Sequence, residues 1–97
     1  MIIDMEAAMD KQKITCICKA LGDINRLNIV QTLTGDEKCA CYILEEFDIT
    51  QPTLSHHMKV LCDSGLVVSR KEGRWHYYRL NRETLDEFRN FIADLSE

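Results

Sequence analysis

The sequence predicts a mainly helical α+β fold in which a two-stranded β-hairpin lies between a pair of short helices and a final helix. Three observations lead to this fold class. Apolar residues recur at helical spacing through much of residues 5–63 and again after residue 81. Between these regions, two segments rich in β-branched and aromatic residues flank a Gly-containing turn at residues 71–74. A chain of 97 residues has the size of one domain, which we assign to residues 1–97.

The N-terminal half is predicted to begin with two helical segments. Residues 5–21 predict one or two helices with an inward face formed by Met5, Met9, Ile14, Ile17 and Leu21. Gly22 and Asp23 interrupt that pattern, and the Asp23 carboxylate can cap the next helix. The buried face of this next helix is predicted to contain Leu27, Ile29, Val30 and Leu33.

Two short helices joined by a three-residue turn are predicted next. The first covers about residues 40–47, and residues 48–50 form the turn. Thr50 is a good N-cap for a helix over residues 51–63, and Pro52 is tolerated in its first turn, where the missing N–H costs nothing. The inward stripe of this second helix is predicted to contain Leu54, Met58 and Leu61.

A β-hairpin and one last helix complete the chain. Residues 66–70 and 75–80 predict the two strands of the hairpin. Asn81 can cap a helix whose apolar stripe, long for so small a monomer, contains Leu85, Phe88, Ile92 and Leu95. This order of elements is that of a winged helix-turn-helix, with the hairpin as the wing.

Charge is unevenly distributed along the chain. The net charge is −4, yet residues 51–82 carry a net charge of +4. The cations of this basic segment are Lys59, Arg70, Lys71, Arg74, Arg79 and Arg82, against only Asp63 and Glu72. A basic segment in an acidic chain indicates a local polyanion-binding surface.

The helix over residues 51–63 and the hairpin together have the chemistry of a DNA-binding surface. A recognition helix needs short polar side chains opposite its buried face, and the outward positions here are Gln51, Thr53, Ser55, His56 and Lys59, with His57 near the margin. The hairpin adds Arg70, Lys71 and Arg74, which are suited to phosphates. The alternative is an ordinary amphipathic surface helix beside a solvated hairpin, which predicts no affinity for duplex DNA at low salt.

Cys39 and Cys41 form a candidate site for a thiophilic ion. Residues i and i+2 lie about 200° apart on a regular helix, so both sulfurs can share an ion only if one lies at or before the helix start. A helix N-terminus favours thiolates, which bind soft ions. The same i, i+2 spacing is poorly suited to a direct disulfide.

Two thiolates leave such a site in need of a third donor. The candidates are Cys16, Cys18 and Cys62, of which we favour Cys16 or Cys18, because their helix could approach residues 39–41 of either subunit of a dimer. Cys62 follows Leu61 at the edge of a packed face and is more typical of a structural cysteine. The three histidines are not interpreted as ligands.

Residues 14–82 resemble the ArsR/SmtB family of metal-responsive repressors, and its arsenic-sensing branch in particular. Residues 19–27 are similar to the family's opening helix boundary, and Cys39-Ala-Cys41 to its thiolate box. Residues 51–61 and 71–78 are similar to its recognition helix and wing. The chain departs from the arsenic-sensing pattern at Leu44, where a third cysteine would be expected, and has Arg82 and Thr84 near the positions of other members' zinc ligands.

The resemblance implies a homodimer joined through the first and last helices and bound to an inverted repeat in double-stranded operator DNA. It further implies release of the DNA when an ion binds, with arsenite or antimonite as the expected inducer, and cadmium, lead and bismuth as further candidates. An alternative effector is oxidation or persulfidation of the cysteines. An enzyme is not expected, because no nucleophile has an evident base and partner.

The chain is expected to be cytoplasmic, with no membrane partner. Apolar runs fall short of the roughly 20 residues that span a bilayer, and the N-terminus lacks the basic start and apolar core of a secretory signal. Five cysteines, an odd number, fit a reducing compartment better than a disulfide scaffold.

Overall fold

The computed structural model describes residues 10–97, so the predicted inward positions Met5 and Met9 lie outside it. The described elements are α1 (Lys11–Leu21), α2 (Ile24–Thr32), β1 (Lys38–Cys39), α3 (Ala40–Phe47), α4 (Gln51–Asp63), β2 (Val67–Glu72), β3 (Trp75–Leu80) and α5 (Arg82–Leu95). The predicted winged helix-turn-helix is confirmed. None of the helices within residues 10–97 has the length and apolar character needed to cross a membrane.

Side-chain caps set the starts of the helices. The Asp23 carboxylate accepts hydrogen bonds from the backbone N–H groups of Asn25 and Arg26, at 2.8 and 3.2 Å. Thr50 Oγ1 accepts from the N–H of Thr53 at 3.3 Å. Asn81 caps α5 in the same way. These are the three predicted caps, and each satisfies an N–H group that the first helical turn leaves free.

The turn between α3 and α4 depends on the left-handed backbone of Asp48. This residue has φ 50° and ψ 49°, and its N–H donates to the carbonyl of Leu44 at 3.0 Å. Asp is among the few side chains that adopt this conformation readily. The turn brings α4 directly after α3, which gives the helix-turn-helix.

Within residues 10–97 the sheet has three strands, whereas the sequence predicted two. β2 and β3 form the expected antiparallel hairpin, and β1 pairs antiparallel with the other edge of β3, in the order β1-β3-β2. A two-residue strand is too short for sequence periodicity to reveal. β2 also extends to Glu72, so the hairpin turn shortens to Gly73 and Arg74, with Gly73 at φ 62°.

The core joins the helices to the sheet. Its buried apolar residues are Ile17, Ala20, Ile29, Leu33, Ile43, Leu54, Met58, Leu61, Leu66, Val67 and Leu80. The predicted inward position of Leu27 is wrong, because this side chain is 43% exposed in α2. Ile92 and Leu95 of α5 are also exposed, at 48% and 69%, so the C-terminal half of that stripe has no cover within residues 10–97.

Candidate nucleic-acid interface and thiolate pair

The outward face of α4 is polar and open. Leu54, Met58 and Leu61 are buried, which holds the helix to the core. The opposite positions are all exposed, namely Gln51, Thr53, Ser55, His56 and Lys59. Lys59 Nζ forms an exposed ion pair with the carboxylate of Asp63 at 3.1 Å, which a phosphate can replace at little cost. This face can therefore present hydrogen-bonding groups to base edges in a major groove.

His57 does not belong to this face. The prediction placed it near the margin as a DNA contact, but its side chain is 6% exposed and its Nδ1 lies 3.3 Å from Nη1 of Arg26. A guanidinium only donates, so Nδ1 acts as the acceptor. Arg26 also donates from Nε to the carbonyl of Ala20 at 2.7 Å, near the C-terminus of α1. His57 therefore connects α4 to the α1–α2 junction.

All three predicted cations of the wing are exposed to solvent, and two of them, Lys71 and Arg74, make no ion pair among the described residues. Lys71 and Arg74 are exposed, and the guanidinium carbon of Arg74 lies 5.9 Å from the ring centroid of Trp75. Trp75, at the start of β3, is 49% exposed. Cations at the tip of a hairpin beside a recognition helix are well placed for phosphates flanking the major groove.

Arg70, the third predicted wing cation, is engaged by two carboxylates. It binds both carboxylate oxygens of Glu37, through Nε and Nη2 at 2.8 Å each, and Glu72 through Nη1 at 2.9 Å. The hydrogen bonds to Glu37 and Glu72 raise the pKa of Arg70, and the hydrogen bonds from Arg70 hold the pKa of Glu37 below its usual value. Its plane also lies over Tyr77, 4.4 Å from the ring centroid. Arg70 is thus an organising residue of the wing as well as a candidate phosphate contact.

Cys39 and Cys41 lie at the start of α3, as predicted. Cys39 is the N-cap, with an extended backbone, and Cys41 is the second helical residue. Their Cα atoms are 5.2 Å apart and their sulfur atoms are joined as a disulfide. Because Cys39 lies outside the helix, the 200° separation of a regular helix does not apply, and the two sulfur atoms lie side by side. The same geometry lets both sulfurs, once reduced, face one ion.

Helical N–H groups also point at this pair. The backbone N–H of Cys41 donates to Sγ of Cys39 at 3.3 Å. The positive end of the α3 dipole lies here, which favours negative charge on sulfur. Nζ of Lys38, the residue before Cys39, lies 5.4 Å from the ring centroid of Tyr42.

The remaining cysteines are separate from the pair. Cys16 and Cys18 are exposed on α1. Cys62 is half-buried at the end of α4, and burial raises the pKa of its thiol. Within residues 10–97, no three histidine, cysteine or carboxylate side chains of one chain come together in a way that could hold a metal ion.

Sequence reasoning missed Glu37 and Arg26. Glu37 is 33 positions from Arg70, and Arg26 is 31 positions from His57, so no local spacing links either pair. The Arg70–Glu72 contact could have been found, because residues i and i+2 on a strand share one face.

A helix-turn-helix followed by a hairpin, with a polar face on its second helix, defines the class of winged helix-turn-helix DNA-binding regulators. Residues 23–69 match the family described as "Bacterial regulatory protein, arsR family". The chain belongs to this arsR family. Its members are DNA-binding regulators of transcription, not enzymes.

Relatives with curated names agree with this family. The chain is 48% identical over 79 residues to the arsenical resistance operon repressor of Staphylococcus aureus, and this alignment covers 81% of this chain and 76% of the relative. It is 50% identical over 78 residues to the repressor of the same name from Staphylococcus xylosus, covering 80% and 75%. A solved structure of an ArsR family transcriptional regulator shares the fold, with a TM-score of 0.82, 22% identity and 92% of both chains covered.

Proposed function

We propose that this chain represses a metal(loid) resistance operon and leaves its operator when arsenite or antimonite binds Cys39 and Cys41. The observation that carries the proposal is the position of the thiol pair, at the N-terminus of the helix that leads directly into α4. The similarity to two arsenical resistance operon repressors supports the choice of ion. Its DNA contacts are the exposed face of α4 together with Lys71, Arg74 and Arg70.

The proposed active form is a homodimer on an inverted repeat in double-stranded DNA. Ile92 and Leu95 continue the apolar stripe of α5 onto an exposed surface, which supports this assembly. Nζ of Lys13 in α1 and Oε1 of Glu87 in α5 lie 3.8 Å apart, so these two helices are neighbours on the surface. A two-fold dimer would present two copies of α4 to successive major grooves.

Ion capture replaces As–O bonds by As–S bonds. Neutral arsenite, As(OH)3, reacts with the two thiols so that each thiol proton leaves with a hydroxide as water, giving a dithiolate As(III)–OH species and two waters. The cysteines must be reduced, because the thiols supply both the sulfur ligands and the protons. No electrons are transferred, so the step needs no co-reactant. Antimonite reacts in the same way, whereas Cd(II), Pb(II) or Bi(III) would displace the thiol protons directly.

The third arsenic ligand is proposed to be a thiolate of Cys16 or Cys18 from the partner subunit. Both are exposed on α1, which belongs to the proposed dimer surface. Leu44 stands where a third cysteine within α3 would otherwise serve. A third thiol would displace the remaining hydroxide as a further water.

Ion binding is proposed to act on DNA through α3. Bringing Cys39 and Cys41 around an ion shifts or unwinds the first turn of α3, and only residues 48–50 separate α3 from α4. Displaced recognition helices no longer match the groove spacing in both half-sites. Coupling of about 1–3 kcal/mol, or 5- to 150-fold in affinity, is typical of such switches.

The decisive experiment is fluorescence anisotropy of the duplex upstream of the chain's own gene, under anaerobic reducing conditions, with arsenite titrated into the complex. Wild type is expected to bind and then to dissociate. The double variant Cys39→Ser with Cys41→Ser is expected to bind DNA normally and to remain bound. Cys62→Ser is the matched control, because it removes a thiol outside the pair and should release like wild type.

Other outcomes have distinct meanings. Release of the double variant by arsenite would contradict the assigned ion site. Retention of DNA by wild type would reject arsenite, and the same titration with antimonite, cadmium, lead, bismuth and an oxidant would then identify the effector. Absence of any salt-sensitive affinity for that duplex would reject repression at that promoter.

A further inference from the structure

A single cross-strand row connects the thiol pair to the wing. Cys39 in β1 is the register partner of Tyr77 in β3, and Tyr77 is the register partner of Arg70 in β2. Residues directly opposite in neighbouring strands place their side chains on the same face of a sheet. Arg70 stacks on Tyr77 in agreement with this alignment. The candidate ion site therefore lies two strands from a wing cation.

Glu37 links the segment that carries the thiol pair to Arg70, the last residue of this row. It lies two residues before Cys39, and both of its carboxylate oxygens accept hydrogen bonds from Arg70 at 2.8 Å. A bidentate carboxylate–guanidinium pair fixes direction as well as distance. This pair directly connects the residue before β1 to strand β2.

We propose that Glu37 is a positioning residue that carries the ion-binding signal from Cys39 to the wing through Arg70. When the two reduced sulfurs bind one ion, β1 shifts, and Glu37 turns Arg70 and strand β2 away from the phosphates that the wing contacts. This route acts beside the direct connection from α3 to α4. The inference rests on the proposed function, because it requires an ion at Cys39 and Cys41.

The chain contains its own control for this route. Glu72 also binds Arg70, at 2.9 Å, but it lies in β2 and is therefore far along the chain from Cys39 and Cys41, whereas Glu37 is two residues from Cys39. Glu37→Gln and Glu72→Gln each remove one negative charge beside Arg70. Both should therefore change the basal DNA affinity in the same direction, whereas only Glu37→Gln should weaken the response to the ion.

The experiment measures the ratio of DNA dissociation constants with and without arsenite for the full-length protein, under reducing conditions and at one salt concentration. Glu37→Gln is expected to reduce this ratio about 2- to 30-fold relative to wild type, the range for variants within a coupling network. Arg70→Lys keeps the charge but loses the bidentate geometry, so it should reduce the ratio as well. Glu72→Gln should keep the wild-type ratio.

Arsenite binding without DNA is measured in parallel by calorimetry, and thermal unfolding shows that each variant is folded. A reduced ratio with unchanged arsenite binding, in both Glu37→Gln and Arg70→Lys, supports the inference. Wild-type release combined with an unchanged ratio in Glu37→Gln overturns it and leaves the proposed function standing. Equal losses in Glu37→Gln and Glu72→Gln also overturn it, since charge alone would explain them. Failure of wild type to release overturns the proposed function and the inference together.

Discussion

Replacing Arg26 by Met removes the hydrogen bonds that connect α1, α2 and the recognition helix while keeping an apolar stem of similar length. Arg26 donates to the carbonyl of Ala20 at 2.7 Å, to the carbonyl of Lys19 at 3.3 Å and to Nδ1 of His57 at 3.3 Å. The two carbonyls belong to the last turn of α1, where a cation is also favoured by the helix dipole. The change therefore affects the junction that holds His57 and α4.

The expected cost is about 2 kcal/mol in the free energy of unfolding. A hydrogen bond from a charged donor contributes about 1.5–3 kcal/mol, and only the 2.7 Å contact has short, strong geometry. The two 3.3 Å contacts add less, although the variant also leaves the buried Nδ1 of His57 without its donor. For a domain of this size, a loss of about 2 kcal/mol lowers Tm by about 8–16 °C.

The assay is thermal unfolding followed by circular dichroism at one fixed protein concentration, since an oligomer's Tm depends on concentration. Arg74→Met is the matched control, because it removes the same charge from an exposed position and should change stability by less than about 0.5 kcal/mol. The DNA affinity of Arg26→Met is measured below its Tm and should also fall, because α4 loses an anchor. A Tm equal to that of the control would refute the role assigned to this junction.

Two further predictions concern the wing and the buried thiol. Lys71→Ala should reduce the slope of log affinity against log salt by about one per subunit, as expected for a lost phosphate contact. Lys11→Ala removes the same charge from α1 and should leave the slope unchanged. Equal slopes for wild type and both variants would exclude Lys71 from the interface. Burial raises the pKa of the Cys62 thiol above its ordinary value of 9.0, so at pH 8 the reduced protein should be alkylated more slowly at Cys62 than at the exposed Cys16 and Cys18. The alkylation rate at Cys62 should also keep rising above pH 9. Peptide mass spectrometry measures each rate, and alkylation of Cys62 before the other two would contradict its burial.

Local features of this protein are determined by the sequence itself. The caps at Asp23, Thr50 and Asn81, the apolar stripe of α4 and the hairpin all depend on residues within a few positions of one another. Capping bonds and helical periodicity act within one or two turns, so a sequence alone can reveal them. The candidate thiol pair follows for the same reason, because Cys39 and Cys41 are separated by one residue.

Only the tertiary structure decided which of these groups meet. Leu27 has the spacing of a core residue but lies on the uncovered side of α2, and His57 has the position of a DNA contact but is buried beside Arg26. The Glu37–Arg70 pair joins residues 33 positions apart, and Glu37 lies just before β1, a strand of only two residues. Burial and ion pairing between distant segments depend on how whole elements pack. The periodicity within one element does not reveal which other elements pack against it.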